Sequence, residues 1–309
     1  MKIGVSIVSH GRLEELSETL RCINNLSPKA DRVCVVDNAS ADQELLQSVQ
    51  RDFPKIHWRC LSKNLGYGAG HHLALRWLMA EGCEAFLLLN PDLRFPADTL
   101  LHLQQASEEA ENQWILGPLL VQNESEDPLL DSAGLTLDAC FRARDRGQGK
   151  RYSQCAVLKN IHKEIEPVWG LCGAALWIPR NLLPFQASRL LFAADYFAYF
   201  EDVELALFAQ KHGIQMGLLP KLRFLHHRGG FGRLSQLGLK DWQQKPHAVR
   251  GALLNRLRAW RSYSSSWAAY PGFWLYELLR GCYLFFRKPF LRSLLKEALE
   301  ILTSKSNLQ

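Results

Sequence analysis

The stretch Phe86–Leu93, FLLLNPDL, decides how the first half of this chain is read. Phe86 to Leu89 are continuously apolar rather than alternating, the pattern of a strand buried on both faces. Pro91 cannot donate to a sheet ladder, so the strand has to end there. Asp92 is thereby held just beyond the end of a core strand, at the edge where open α/β sheets bind ligands. Asn, Pro and Asp are also common turn residues, and on these residues alone the turn reading is the stronger.

Working outward, the first 120 residues alternate between two periods. KIGVSIVS, RVCVVD, IHWRCL, AFLLLN and WILGPLLV read as strands. Between them, helices are expected over Arg12–Ile23, near 41–52 with Ser40 as its cap, over Gly70–Met79 and over Pro96–Ala106. Such alternation predicts an α/β fold, a mainly parallel sheet with helices on both faces. Beyond about residue 122 the pattern loosens, and 122–168 reads as irregular loops and short strands. Order returns at VWGLCGAALWIPR and at YFAYFEDVELALFAQKHG, a helix expected to end at Gly213, followed by a short strand IQMGLLP.

Composition bounds the class. Of 309 residues, 47% are hydrophobic and 22% charged, enough apolar material for a substantial core. The first residues, MKIGVSIVSHGR, are too short and polar-interrupted for a signal peptide. Eight cysteines lie scattered without a CxxC pair, which suits buried thiols in the cytosol better than disulfides or zinc. The net charge of +6 is uneven: residues 245–309 hold eleven Lys and Arg against three Glu, so the tail carries the positive charge. No nucleic-acid motif accompanies it, so nucleic acid is not expected as a partner.

Parallel strands put Asp37, at the end of RVCVVD, and Asp92 on one edge of the sheet, with Ser9, His10 and Gly11 following the first strand there. The loop NLGYGAGHH (Asn64–His72) follows the third strand, and its glycines would let backbone approach a phosphate. It is neither GxGxxG nor a Walker loop. Further on, Glu201 and Asp202 open a helix after an aromatic run. Acids suit a helix start, and one of the pair, partly desolvated by Phe197, Tyr199 and Phe200, would also serve as a general base. His226 with Asp92 would suit a divalent metal.

VVDNAS, NLGYGAGHH, LLLNPD and FAYFEDVEL occur here in the order and spacing of inverting glycosyltransferases of family 2, and over about 1–232 the chain resembles their rhamnosyltransferase-like members. The resemblance implies a GT-A fold, a Rossmann-like nucleotide-binding sheet flanked by helices. It divides the chain into a donor half at about 1–121, an acceptor half at about 122–232, and a basic, aromatic, helical C-terminal region at 233–309. It implies that Ser9, His10, Gly11, Asp37, Asn38, Asn64, Gly66 and Asn90 line the pocket for a UDP- or dTDP-sugar. Asp92 and His226 would bind Mg2+ or Mn2+, Asp202 would act as general base beside Glu201, and Trp169, Gly170, Gly173 and Glu204 would contact sugar and acceptor. Leu191-Phe192-Ala193-Ala194 replaces the family's frequent Gly-Phe-Asp-Glu, His71 and His72 stand where asparagines are frequent, and Glu204 replaces a common aspartate.

The tail mixes Trp267, Tyr270, Phe273 and Trp274 with Arg280, Arg287 and Lys288. It has no uncharged run long enough to span a bilayer, and its composition suits contact with an anionic membrane surface. Packing on the protein's own core or in an oligomer is the alternative. The expected protein is thus a cytoplasmic transferase, peripheral on the inner face of the plasma membrane, moving a sugar, rhamnose favoured, to a glycan or lipid-linked acceptor of surface polysaccharide. The alternatives are a UDP-hexose or UDP-galactofuranose donor, a nucleotidyltransferase, and a catalytically silent membrane-associated module.

Overall fold

The computed structural model describes residues 1–138, 141–155, 164–183, 191–193, 196–227 and 246–263, with 296, 298 and 300. The aromatic residues from Trp267 onward and residues 156–163 lie outside the described residues. The donor half runs β1 (Ile3–Ser9), α1 (Leu13–Asn24), β2 (Arg32–Asp37), α2 (Gln43–Asp52), β3 (His57–Cys60), α3 (Tyr67–Ala80), β4 (Ala85–Leu89), β5 (Leu93–Arg94), α4 (Thr99–Glu109) and β6 (Trp114–Val121). Four short strands follow, β7 (Leu130–Ser132), β8 (Leu135–Leu137), β9 (Ala143–Asp145) and β10 (Glu166–Val168). Then come β11 (Ala175–Pro179), α5 (Glu201–His212), β12 (Gln215–His226) and α6 (Pro246–Tyr263).

The sheet order is β10-β12-β6-β11-β4-β1-β2-β3. β3, β2, β1 and β4 are parallel, as the alternation predicts. The second half is mixed, because β11 enters antiparallel between β4 and β6 and β10 lies antiparallel on β12. The fold is α/β with a central sheet flanked by helices.

β4 is the middle of this architecture, and its apolar run is explained by burial on both faces. Phe86 and Leu88 join one core with Val8, Val36, Leu75 and Ile178, while Leu87 and Leu89 join the other with Ile7, Leu16, Leu20 and Trp177. All five residues of β4 are fully buried. Cutting any of its leucines to alanine would cost about 2–5 kcal/mol.

Four local expectations are corrected. Ser40 does not cap α2: its hydroxyl is taken by Asp37, and Asp42 caps instead by accepting from the Leu45 N–H at 2.9 Å. α3 begins at Tyr67, so the glycine-rich loop is partly the first turn of a helix. α4 begins at Thr99, not at Pro96, whose carbonyl accepts from the Thr99 hydroxyl at 2.7 Å. IQMGLLP is only the first part of the twelve-residue β12, whose pairing with β6 slips between Leu219 and Arg223. Pro220 lies in that interval and lacks the N–H that regular pairing would use.

Candidate active site

Register assembles the donor edge. Ser9 lies opposite Asp37, Asp37 opposite Cys60, and Ile7 opposite Leu89, so the loops after β1, β2, β3 and β4 leave the sheet side by side. Their polar side chains mostly hold one another. Asp37 is buried and accepts from the Ser40 hydroxyl and N–H, while the Gly11 N–H donates to the Ser40 hydroxyl at 2.8 Å. Asn38 bridges two loops, donating to the Gly66 carbonyl at 3.1 Å and accepting from the Leu65 N–H at 2.8 Å. Asn64 accepts from the Gly66 N–H at 2.8 Å. His10 is exposed, with Nδ1 at 2.8 Å from the Asn38 carbonyl, and the buried Ser9 hydroxyl has no partner.

The glycines expected to admit a phosphate serve close packing within the chain. A Cβ on Gly66 would lie 2.3 Å from the Phe197 carbonyl oxygen, one on Gly68 2.7 Å from Phe192 Cβ, and one on Gly70 2.8 Å from Val8. His71 is likewise internal: it is fully buried, bonded through Nδ1 to the Ser6 hydroxyl at 2.8 Å, and burial drives its pKa down to about 3. It is a neutral core residue.

Asp92 is the centre of a charged cluster built by three strand pairings. β5 pairs with β12, placing Leu93 opposite His226, and the His227 N–H donates to the Asp92 carbonyl at 3.0 Å. β7 folds back on β6, which lies beside β12, and so brings Asp131 to the same point. The His226 ring stands between two carboxylates, Nδ1 at 2.8 Å from Asp131 Oδ2 and Nε2 at 3.4 Å from Asp92 Oδ2. Arg12 closes the cluster, donating to Asp92, to Glu15 at 2.9 Å and to the His227 carbonyl at 3.0 Å. Burial alone would lower the His226 pKa, but hydrogen bonds to Asp131 and Asp92 raise it to about 9. Burial alone would raise Asp92, and His226 and Arg12 together hold it below its ordinary value.

Asp92 Oδ1 is buried without a hydrogen-bond partner. A hard carboxylate oxygen left unpaired is the kind of donor a divalent cation takes. Asp92 is therefore the residue that would hold one, and His226 could join it only with its ring deprotonated. Among the described residues no group of three or more His, Cys, Asp or Glu is disposed to do so alone.

The second acidic pair arrives from the far side. Tyr199 and Phe200 adopt left-handed backbone with φ of 70° and 74°, and α5 starts at the next residue. Such conformations cost roughly 1–2 kcal/mol per residue and persist where surrounding contacts enforce them. Glu201 is buried, with Oε2 unpartnered; burial first, then the Asp202 charge, raise its pKa to about 8. Asp202 is half-buried and accepts from the Gly173 N–H at 3.1 Å.

The loop before β11 joins the two acidic centres. β11 pairs with β4 so that Ala175 faces Leu89, and the Asn90 N–H donates to the Ala174 carbonyl at 2.8 Å. One residue earlier, Gly173 holds Asp202 through its N–H and accepts from the Tyr67 hydroxyl, at 2.5 Å, through its carbonyl. That phenol reports the convergence. Its pKa is pushed well up by burial first, then by the charges of Glu201, Asp202, Cys172 and Asp92. One half-buried hydroxyl lies within electrostatic reach of both carboxylate centres.

The remaining expected contacts lie around this loop. A Cβ on Gly170 would sit 2.7 Å from Ala206 Cβ, so this glycine packs on α5. Trp169 is half-buried, and its carbonyl accepts from Gln210 at 3.2 Å. Glu204 is buried and takes the Tyr263 hydroxyl of α6. Arg12, Tyr67 and Asp131 are the residues sequence reading missed. Arg12 looked like a helix start, Tyr67 sat among glycines, and Asp131 lay in a segment without period.

Residues 5–156 match the family described as Glycosyl transferase family 2. That match spans 152 of the 309 residues, just under half of the chain. The matched segment contains Asp37, Tyr67, Asp92 and Asp131; Asp202 and His226 lie beyond it. Among solved structures, GalNAc-T7 with UDP, GalNAc and Mn2+ is similar at TM-score 0.57 and 14% identity, over 87% of this chain and 52% of that one. The chain thus spans about half the length of that neighbour. S. aureus TarS 1-349 in complex with UDP aligns at TM-score 0.48 and 14% identity, over 84% of this chain and 81% of that one. No curated protein matches the chain.

Proposed function

We propose that this protein is an inverting glycosyltransferase that moves a sugar from a nucleoside diphosphate to an acceptor hydroxyl. The observation that carries the reading is the position of Tyr67, whose hydroxyl donates to the Gly173 carbonyl while the Gly173 N–H holds Asp202 and the neighbouring Ala174 carbonyl holds Asn90 of the Asp92 loop. The reaction needs those two kinds of group. The sugar–phosphate bond breaks through an oxocarbenium-like state, and charge grows on the departing diphosphate. On the other face a carboxylate must take the acceptor's proton as it attacks.

Asp202 takes the base role, since its partly open carboxylate is oriented by Gly173. Glu201 is held largely protonated at neutral pH and does not compete. Arg12 and the His226 imidazolium face the end of β4 with positive charge, suited to a diphosphate. A divalent cation held by Asp92, with His226 joining it only once its ring has lost a proton, would supply Lewis-acid neutralisation of the leaving group. One displacement with no covalent intermediate gives inversion. Asn90-Pro91-Asp92, like that of rhamnosyltransferase-like members, favours rhamnose as the sugar, and the acceptor is a glycan or lipid-linked glycan of surface polysaccharide.

No helix among the described residues is long and apolar enough to cross a membrane. We place the basic, aromatic residues 267–309 on an anionic membrane surface. Deletion of 267–309 should reduce binding to anionic vesicles, and undiminished binding by the folded truncation would remove that role.

Calorimetry and thermal shift against dTDP-rhamnose, UDP-hexoses, UDP-galactofuranose and GDP-mannose, each with and without Mn2+, test the donor site. Saturation by one class at about 100 times its Kd should stabilise the fold by about 2.7 kcal/mol. Silence toward all of them would contradict the proposal.

A further inference from the structure

The turn that delivers Asp202 is held by a helix outside the matched family segment. Asn255 of α6 is buried, and its Nδ2 donates to the carbonyls of Ala198, at 3.2 Å, and Tyr199, at 2.7 Å. Its Oδ1 accepts from Arg258 Nη1 at 2.7 Å, which fixes the amide with nitrogen toward the turn. An amide nitrogen has two hydrogens, and both go to this one turn. The carbonyls they hold immediately precede and begin the left-handed pair Tyr199–Phe200.

From there the constraint passes into α5. The Phe200 carbonyl accepts from the Glu204 N–H at 2.9 Å, the first helical bond, and Tyr263 at the end of α6 donates to the Glu204 carboxylate. α6 therefore grips the start of α5 at two points, one before Asp202 and one after. Phe197 is pinned separately, its carbonyl accepting from the Tyr67 N–H at 3.0 Å. The groups of the donor edge hang from β1, β2 and β4 and make no bond to Asn255.

We infer that Asn255 is a positioning residue for Asp202, and that α6 is thereby part of the catalytic apparatus. This rests on the reading of Asp202 as general base. Without the two amide bonds the left-handed pair is no longer enforced and relaxes. The first turn of α5 then reorients, carrying the Asp202 carboxylate away from the acceptor hydroxyl. Displacement of a reacting group by about 1 Å costs on the order of 100-fold in rate.

The test compares Asn255→Ala, Asn255→Asp, Asn255→Ser and Asp202→Asn with the parent. Turnover is read as nucleoside diphosphate release from dTDP-rhamnose, UDP-glucose and UDP-galactofuranose with water as acceptor, and backbone order as deuterium exchange over 198–204. Asn255→Asp keeps the shape of the side chain and replaces its donors with a carboxylate facing two carbonyls. The Ala and Asp variants should lose at least about 10-fold in kcat, hold the donor KM within about threefold, and exchange at least about 10-fold faster over 198–204. Asn255→Ser, which retains one donor, should fall between them and the parent and carries the test if the others do not fold. Parent-like kcat in the Asn255 variants while Asp202→Asn is inactive would overturn the inference. So would unchanged exchange, which needs no donor, or a rise in donor KM as large as the fall in kcat. If Asp202→Asn itself keeps parental kcat, the base assignment has failed, and the exchange result still shows whether Asn255 orders the turn.

Discussion

The acids at the two ends of this site are tuned in opposite directions. Asp92, at the end of β4, is buried among cations and held below its ordinary pKa. Glu201, at the start of α5, is buried beside another acid and raised to about 8. Both are buried, so burial alone does not distinguish them. What distinguishes them is what each strand pairing or turn brings alongside. β12 and the residue that caps α1 bring His226 and Arg12 to Asp92, whereas the left-handed turn sets Asp202 beside Glu201. In the proposed mechanism the Asp92 end would meet the leaving group's negative charge, and Asp202, beside the protonated Glu201, would take the acceptor's proton.

The largest expected effect comes from removing the base. Asp202→Asn should transfer sugar at least about 100-fold more slowly while binding the donor nearly as tightly, measured by single-turnover kinetics and calorimetry. Equal turnover would erase the contrast between the two ends. Asp92→Ala should abolish the metal-dependent part of nucleotide affinity, leaving Arg12 and His226 without the carboxylate they share. Unchanged affinity with and without Mn2+ would remove the metal role.

A pH experiment sharpens the same comparison. The folded state holds the Glu201 proton up to about 8, whereas an unfolded chain releases it near 4.5. Folding therefore binds a proton between those values, and stability falls as pH rises through that window, then levels off. Asp92 acts with the opposite sign: its contribution is present above 3.8 and is lost on acidification through the lowered folded value. Glu201→Gln should flatten the fall in melting temperature between pH 5.5 and 8, and an unaltered slope would contradict the Glu201 environment. The smallest effect expected is at α2, where Asp42→Ala should cost about 1 kcal/mol in denaturant melts. Ser40→Ala should instead act through Asp37 and the loop after β2, a difference that nucleotide binding would reveal.

The comparison also explains what was legible in the sequence. The parallel half was readable because periodicity fixes strands, and parallel strands fix which ends share an edge, so Asp37 and Asp92 could be placed together from local pattern. Asp202 was readable because an acid pair opening a helix is a local signal. Arg12 and Asp131 were not, since their roles depend on pairings across the sheet, β5 with β12 and β6 with β7, that no local period encodes. The glycines of NLGYGAGHH were visible as glycines, but their reason, contact with Phe192, Phe197 and Val8, lies in tertiary packing. Ser40 was misread as a cap because a competing carboxylate three residues earlier takes its hydroxyl.

The central claim is a single displacement with the leaving group at the Asp92 end and the base at the Asp202 end. Proton NMR of the product's anomeric centre, recorded during turnover before the free sugar can equilibrate, tests it most directly. The account predicts a product inverted relative to the donor sugar. A retained configuration would require two displacements or a front-face attack, and would contradict the division of labour between these two acids.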